Sequence, residues 1–206
     1  MINLTPNPNT LEYNTLADLQ KAIKFADPER KFKVGKVIHV NNKMQKGYSY
    51  KLTEPIGKNF DPSFTPSYSP KEMLEMGVFE GKYCNDCILE YPKEWFETAI
   101  RNRKLSPEHA DKMKNYYRVK SRQPLSTWRA KNWIYGNDPR GWFEWYMRYY
   151  LGRRDPSVDR IQIKRWKHNV AHLGALRKQC GEDFIKDHTC GLVRKQLLLN
   201  WSFPMK

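Results

Sequence analysis

The chain has 206 residues, enough for one domain or one domain with an appendage, and carries +15 from 37 basic and 22 acidic side chains. A hydrophobic fraction of 39% with 14% aromatic residues is too high for a solvated basic tail, so a folded basic protein is expected. No run approaches the ~18 apolar residues of a membrane span, and residues 1–10 lack the basic-then-apolar order of a signal peptide. These features predict an intracellular protein of cytoplasm, nucleus or virion, with no membrane partner.

In chain order, Thr15 with Asp18 three residues later, followed by Leu16, Leu19 and Ile23 at helical spacing, predicts a short amphipathic helix over 15–26. The β-branched and aromatic runs 33–40 and 48–53, separated by a polar segment with Gly47, predict a β-hairpin. Pro55, Pro62, Pro66 and Pro70 mark the next stretch as a loop or strap. Ser69-Pro70-Lys71-Glu72 is a capping box with proline at the first helical position, and Gly77 closes the helix over 71–76. Further helices are expected at 91–101, 106–116, 126–135, 138–151, 157–178 and 190–201. The predicted fold class is α+β: a small N-terminal helix and β-hairpin element attached to a mainly helical basic C-terminal half. The expected division is 1–68 for helix, hairpin and strap and 69–206 for the helical aromatic-rich part, packed as one unit.

Charge is partitioned along the chain. Basic and acidic side chains balance in residues 1–100, so the whole +15 lies in 101–206, together with six of the seven tryptophans. Basic charge interleaved with rings suits a polyanion with stackable bases. On a helical wheel, 157–178 places Val158, Ile163, Trp166, Val170, Leu173 and Leu176 on one arc and Arg160, Lys164, Lys167 and Lys178 nearly opposite. The stripe holds no acidic residue and follows the Arg153-Arg154 pair. The preceding helix spreads Trp142, Phe143, Trp145, Tyr146, Tyr149 and Tyr150 over a wide arc, with Arg140, Glu144 and Arg148 on the remainder. Most of these rings are expected in the core; Trp145, beside Arg148, is expected at the arc's edge as a stacking platform. The segment 112–131 adds Lys112, Lys114, Arg118, Lys120, Arg122, Arg129 and Lys131 as a basic loop of general attraction.

Four cysteines without an export signal favour reduced thiols or a metal site over a disulfide framework. Cys84 and Cys87 could meet His168 and His172 in a tetrahedral site, and Cys180, His188 and Cys190 offer a second set. The first pairs lie far apart in sequence and the histidine spacing is common on helices, so unliganded cysteines are the expectation, with no metal and no cofactor. Residues 81–86 bring Lys82 and Asp86 close, the pair that could act as catalytic amine and carboxylate if the lysine were desolvated. No Walker A, dinucleotide-binding, serine-hydrolase or zincin motif occurs, so enzyme status stays open.

The run G-W-F-E-W-Y-M-R-Y-Y-L-G-R-R over 141–154, with D-R-I-Q-I-K-R-W over 159–166, resembles a group of microbial and viral proteins sharing a GWFxWYxRYYxGRR…DxxQIxRW core. The likeness extends through 69–83, 123–128 and 194–201, about residues 50–201 in all. The group brings no assigned activity, so the resemblance implies no catalytic residue. Its members read G-K-Y-M-T-D-C, matching Lys82, Asp86 and Cys87 but not Cys84, which weakens a zinc site needing both cysteines.

The expected function is nucleic-acid binding, DNA ahead of RNA. The backbone would be gripped by Arg148, Arg153, Arg154, Arg160, Lys164, Arg165 and Lys167, with Trp145 stacking on bases. The alternatives are a base-excision or base-modification enzyme using Lys82 and Asp86, and a structural component of a virion or ribonucleoprotein assembly.

Overall fold

The computed structural model describes residues 11–206. Thr15 and Asp18 cap one another's backbone and start α1 (Leu16–Ala22), which buries Leu19 and Ala22. β1 (Val37–Asn41) and β2 (Lys46–Lys51) pair antiparallel with Ile38 opposite Tyr50 and Val40 opposite Tyr48. The pleat turns Ile38, Val40 and Tyr50 inward and His39, Ser49 and Lys51 outward. Around this hairpin the described residues form eight α-helices, so the fold is α+β and mainly helical.

Helices α2 (Pro70–Glu75) and α3 (Glu94–Arg101) pack on one another. α4 (Leu125–Ala130) is short and has no fully buried residue. α5 (Trp142–Leu151) is the axis of the molecule, and within it only Tyr150 is not fully buried. α6 (Pro156–His168) and α7 (Val170–Cys180) follow, and α8 (Leu192–Asn200) closes the chain. The helix expected at 106–116 is absent: Ser106 and Asp111 spend their amides on the carbonyls of Gly81 and Glu80, leaving a single 3-10 turn at Lys112–Lys114. The predicted helix 157–178 is divided at Asn169, whose side chain donates to the Arg165 carbonyl (3.1 Å). Val170, assigned to the core arc, is 51% exposed beyond that break.

The proline-bearing strap wraps the C-terminal end of α5. Thr53 and Glu54 donate to the Gly152 carbonyl, Gly57 to that of Tyr150, and the Asp61 amide to the Tyr149 hydroxyl. It then delivers Phe64, 1% exposed, among Trp145, Tyr146, Tyr149 and Trp166, with ring centroids 5.1–5.7 Å away. Burying a ring of that size contributes roughly 1.5–3 kcal/mol by transfer. One buried cluster thus runs from Leu19 through the hairpin and α5 to Met205, spanning both parts of the chain. No helix among the described residues is long and apolar enough to cross a membrane.

Candidate functional site

Between α2 and α3 the described residues hold a cluster of left-handed backbone. Gly77, Phe79, Glu80, Gly81 and Cys84 all sit in the left-handed region, with φ between 55° and 67°. A non-glycine residue there costs about 1–2 kcal/mol, so the surroundings must hold it. Asn200 accepts from the Phe79 amide (3.3 Å), Asn115 from the Glu80 amide (2.9 Å), and the Phe79 ring packs in a triad with Tyr83 and Phe143. At Gly81 a Cβ would stand 2.5 Å from the Lys104 carbonyl oxygen, so only glycine lets the two segments approach. Strain gathered in one segment is a mark of functional sites.

That segment forms the wall of a cavity of about 340 Å³. Lys82, Asp86, Asn85, Arg122, Trp128 and Arg140 are among its lining residues. Lys82 and Asp86 do share this cavity, but they do not pair. The Lys82 ammonium donates to the carbonyls of Pro107 and Glu108, while Asp86 takes Nη2 of Arg140 at 2.6 Å and Nε at 3.3 Å. Burial holds Lys82 below the ordinary lysine value, with Asp86 opposing the shift. Arg140, 6% exposed, also pairs with Glu144 at 2.7 Å, and its carbonyl accepts the Tyr83 hydroxyl. Arg122 gives Nε to Glu80 (2.9 Å); among the described residues nothing engages its two terminal nitrogens. Asn85 donates to the Gly81 carbonyl, but its Oδ1 accepts from nothing among the described residues, although the residue is only 6% exposed.

The cavity adjoins an open groove of about 780 Å³ through the shared residues Phe79, Arg122, Gln123 and Trp128. Lys120, Arg122, Arg165, His168 and His172 supply its positive and protonatable groups, and Trp128, Trp133 and Trp201 its rings. No carboxylate is among the described residues that line it. The Arg165 guanidinium lies 5.2–5.7 Å from the ring centroids of Trp128, Tyr135 and Trp201 and donates to the Trp133 carbonyl (3.0 Å). Trp128 reaches the start of α5 because position 141 is glycine, where a Cβ would stand 2.9 Å from its ring. Burial and Arg194 hold His172 below its ordinary value of 6.5.

The predicted nucleic-acid-binding residues fall into three places. Trp145 is fully buried, its indole N–H donating to Asp159 (2.8 Å), so it offers no face to a base. Arg148 and Arg153 are also buried: Arg148 meets Glu90 at 2.6 Å and Asp138 at 3.0 Å, and Arg153 holds Asp138 with two donors. The expected outward face of α5, Arg140, Glu144 and Arg148, is therefore an inner one, because the hairpin and the Glu90 turn close over it. Arg154, Arg160, Lys164 and Lys167 line a separate cleft of about 670 Å³, where Arg154 lies 3.9 Å over the Tyr149 ring. Arg165 alone faces the groove. Lys82 and Asp86 share their cavity with Arg140 and Arg122 and not with Arg153 or Arg160.

The cysteines depart from expectation as well. Cys180 and Cys190 form a disulfide, their Cα atoms brought to 5.9 Å as the chain turns back between α7 and α8, and this removes both from the second zinc set. Cys84 and Cys87 are free, buried and pushed by burial above the ordinary thiol value, which disfavours the thiolate that zinc or nucleophilic chemistry needs. No group of three or more His, Cys, Asp or Glu suited to a metal occurs among the described residues. Arg140 and Asn85 were not singled out from sequence. Arg140 reads as an outer helix residue and Asn85 as a turn filler, and only the fold brings both to the cavity. No family model, curated protein or solved structure matches the chain.

Proposed function

We propose that the protein binds nucleic acid, taking a single strand along the groove between α4, α6 and α8. The observation that carries this reading is a groove lined by cationic groups and three half-buried indoles with no carboxylate. Phosphates would meet Lys120, Arg122, His168 and His172, and bases would stack on Trp133 and Trp128. The cleft of Arg160, Lys164 and Lys167 adds a second cationic surface that attracts a polyanion without reading it.

Anisotropy titrations of labelled single-stranded DNA, single-stranded RNA and duplex DNA across salt concentrations test the proposal. Tighter binding of single strands is expected, with affinity falling as salt rises, by a slope of ~0.7 per phosphate neutralised. Affinity absent at low salt, or insensitive to salt, would sink it. Lys120→Glu with Arg122→Glu should weaken single-strand binding more than Arg160→Glu with Lys164→Glu; the reverse order moves the binding track to the other cleft.

A second reading, base excision or base modification, draws on Lys82, which burial holds below the ordinary lysine value, at the wall of the cavity next to the groove. Borohydride trapping on damaged-base substrates separates it from binding alone: a covalent adduct lost in Lys82→Arg supports a lysine mechanism, and none across a panel of lesions counts against it.

A further inference from the structure

Arg122 stands where the cavity meets the groove, since it lines both. Its guanidinium is fixed at one point and free at two. Nε donates to Glu80 (2.9 Å), a residue whose backbone is itself held on both sides, the amide by Asn115 and the carbonyl by the Asp111 amide (3.0 Å). Nη1 and Nη2 are engaged by nothing among the described residues, and neither is enclosed, the side chain being 29% exposed. Such a pair of terminal nitrogens is the fork that takes two oxygens of one anion. Lys82 and the exposed Lys43 line the same cavity. Two of the three donors on the Lys82 ammonium go to the Pro107 and Glu108 carbonyls, which leaves one. Burial holds Lys82 below the ordinary lysine value; Asp86 and Glu108 oppose the shift, while Arg122 and Lys43 add to it, so Lys82 lies close enough to both cations to be repelled by them. Asp86 is the sole carboxylate among the described residues that line the cavity, and Arg140 holds it at 2.6 Å. Apart from Glu80 on one edge of Arg122, the three cations have no carboxylate at ion-pair distance among the described residues.

We propose that this junction binds the phosphate monoester of a nucleotide, with the phosphate at Arg122, Lys82 and Lys43. A monoester carries about −1.5 to −2 at pH 7 and three acceptor oxygens, which match a guanidinium fork, an ammonium and a further cation. A phosphodiester inside a strand carries a single charge, and its chain leaves on both sides. The cavity, about 340 Å³, sits at the small end of ligand pockets, which span ~300–1,000 Å³, so it has room for one small group and not for a passing chain. Met44, Tyr83, Leu125 and Trp128 line the rest of it and offer apolar surface to the body of the nucleotide. Selection is by the charge of the phosphate, and no base is distinguished from another. Glu80, held at a φ of 61°, carries the carboxylate that fixes Arg122, which ties the strained segment to the site. The same chemistry serves a free nucleoside monophosphate or the terminal phosphate of a strand lying in the groove; only the second source rests on the binding reading above.

The test uses the full chain. Anisotropy of a labelled oligothymidylate compares a phosphate with a hydroxyl at the 5′ end and then at the 3′ end, and indole fluorescence compares thymidine 5′-monophosphate with thymidine. The readout is the ratio of affinities with and without the phosphate, in which general attraction to the groove cancels. A preference of about ten-fold or more is expected for the mononucleotide or for one strand end, the effect of a single charge-assisted hydrogen bond. Arg122→Gln and Lys82→Gln should each bring the ratio close to one, and Lys43→Gln should lower it in part. Arg160→Glu, in the other cleft, should leave the ratio alone even where it weakens the strand. Lys43 is exposed, so its variant keeps the test open if the other two fail to fold. Preference for the mononucleotide with none at either strand end supports the site and assigns it to a free nucleotide. Preference at a strand end supports the terminal phosphate. Ratios near one in all three comparisons, or a preference untouched by each of the three glutamine variants, overturn the proposal. If no strand binds at all, the groove reading falls, and the mononucleotide comparison alone decides the cavity.

Discussion

Two regions of this molecule are built from the same residue types, arginine and aromatic rings, and do opposite things with them. Around α5, Arg140, Arg148 and Arg153 meet Asp86, Glu90, Asp138 and Glu144, and the Tyr50 hydroxyl closes the cluster on Glu90. Burial pushes the Glu144 carboxyl above its usual range even with two arginines beside it. In the groove, Arg165 and the two histidines line an open surface with three indoles and no carboxylate among the described residues that line it, while Arg122 keeps only its Nε on Glu80. The difference lies in the partners. Guanidinium groups compensated by carboxylates can be enclosed and then fix how the hairpin, the Glu90 turn and α5 sit together. Guanidinium groups without carboxylates must stay near water, where their field acts on ligands.

The comparison can be broken most severely at Arg148. Arg148→Met should destabilise the fold by about 3–5 kcal/mol, read by chemical denaturation, because Glu90, Asp138 and Glu144 lose their shared partner in a buried site. A neutral result would return Arg148 to the surface class. Trp145→Phe keeps a ring but strips the donor from Asp159, a carboxyl already raised by burial, and should cost about 1–3 kcal/mol of stability. It should leave nucleic-acid affinity unchanged; a loss there, with stability intact, would restore Trp145 as a stacking surface.

Trp133→Ala is the counterpart in the groove. Its ring is half-buried, so single-strand affinity should fall by about 1–3 kcal/mol while the denaturation midpoint barely moves. The smallest effect is expected from His172. Held below 6.5 by burial and Arg194, it is neutral at pH 7 and gains its proton only as pH drops below that value. The unfolded chain takes that proton first, so stability declines through this window as pH falls, whereas affinity for a polyanion rises. His172→Gln should flatten both trends by a few-fold at most, in salt-screened conditions.

Legibility from sequence followed the range of the interactions involved. The two capping boxes, Thr15 with Asp18 and Ser69 with Glu72, form as their spacing predicts, since donor and acceptor lie three residues apart. The hairpin appears as well, shifted a few residues toward its turn. The 106–116 segment misleads because its helix start competes with long-range backbone bonds to residues 80 and 81 that no local pattern records. Arg148 misleads on a helical wheel because the wheel shows a polar arc but not the carboxylates waiting opposite it. At the cavity, Lys82 and Asp86 are legible as neighbours, yet their pairing with Pro107, Glu108 and Arg140 is not.

The +15, its confinement to residues 101–206 and the wealth of tryptophan there are properties of the amino-acid sequence alone, as is the α+β character that hydrophobic periodicity and caps dictate. Tertiary structure decided which of those charges reach water. Hydropathy patterns report that a side chain is polar, but whether it is enclosed depends on whether a distant segment brings an opposite charge to it, and Glu90 and Asp138 do so for Arg148 and Arg153 but not for Arg165.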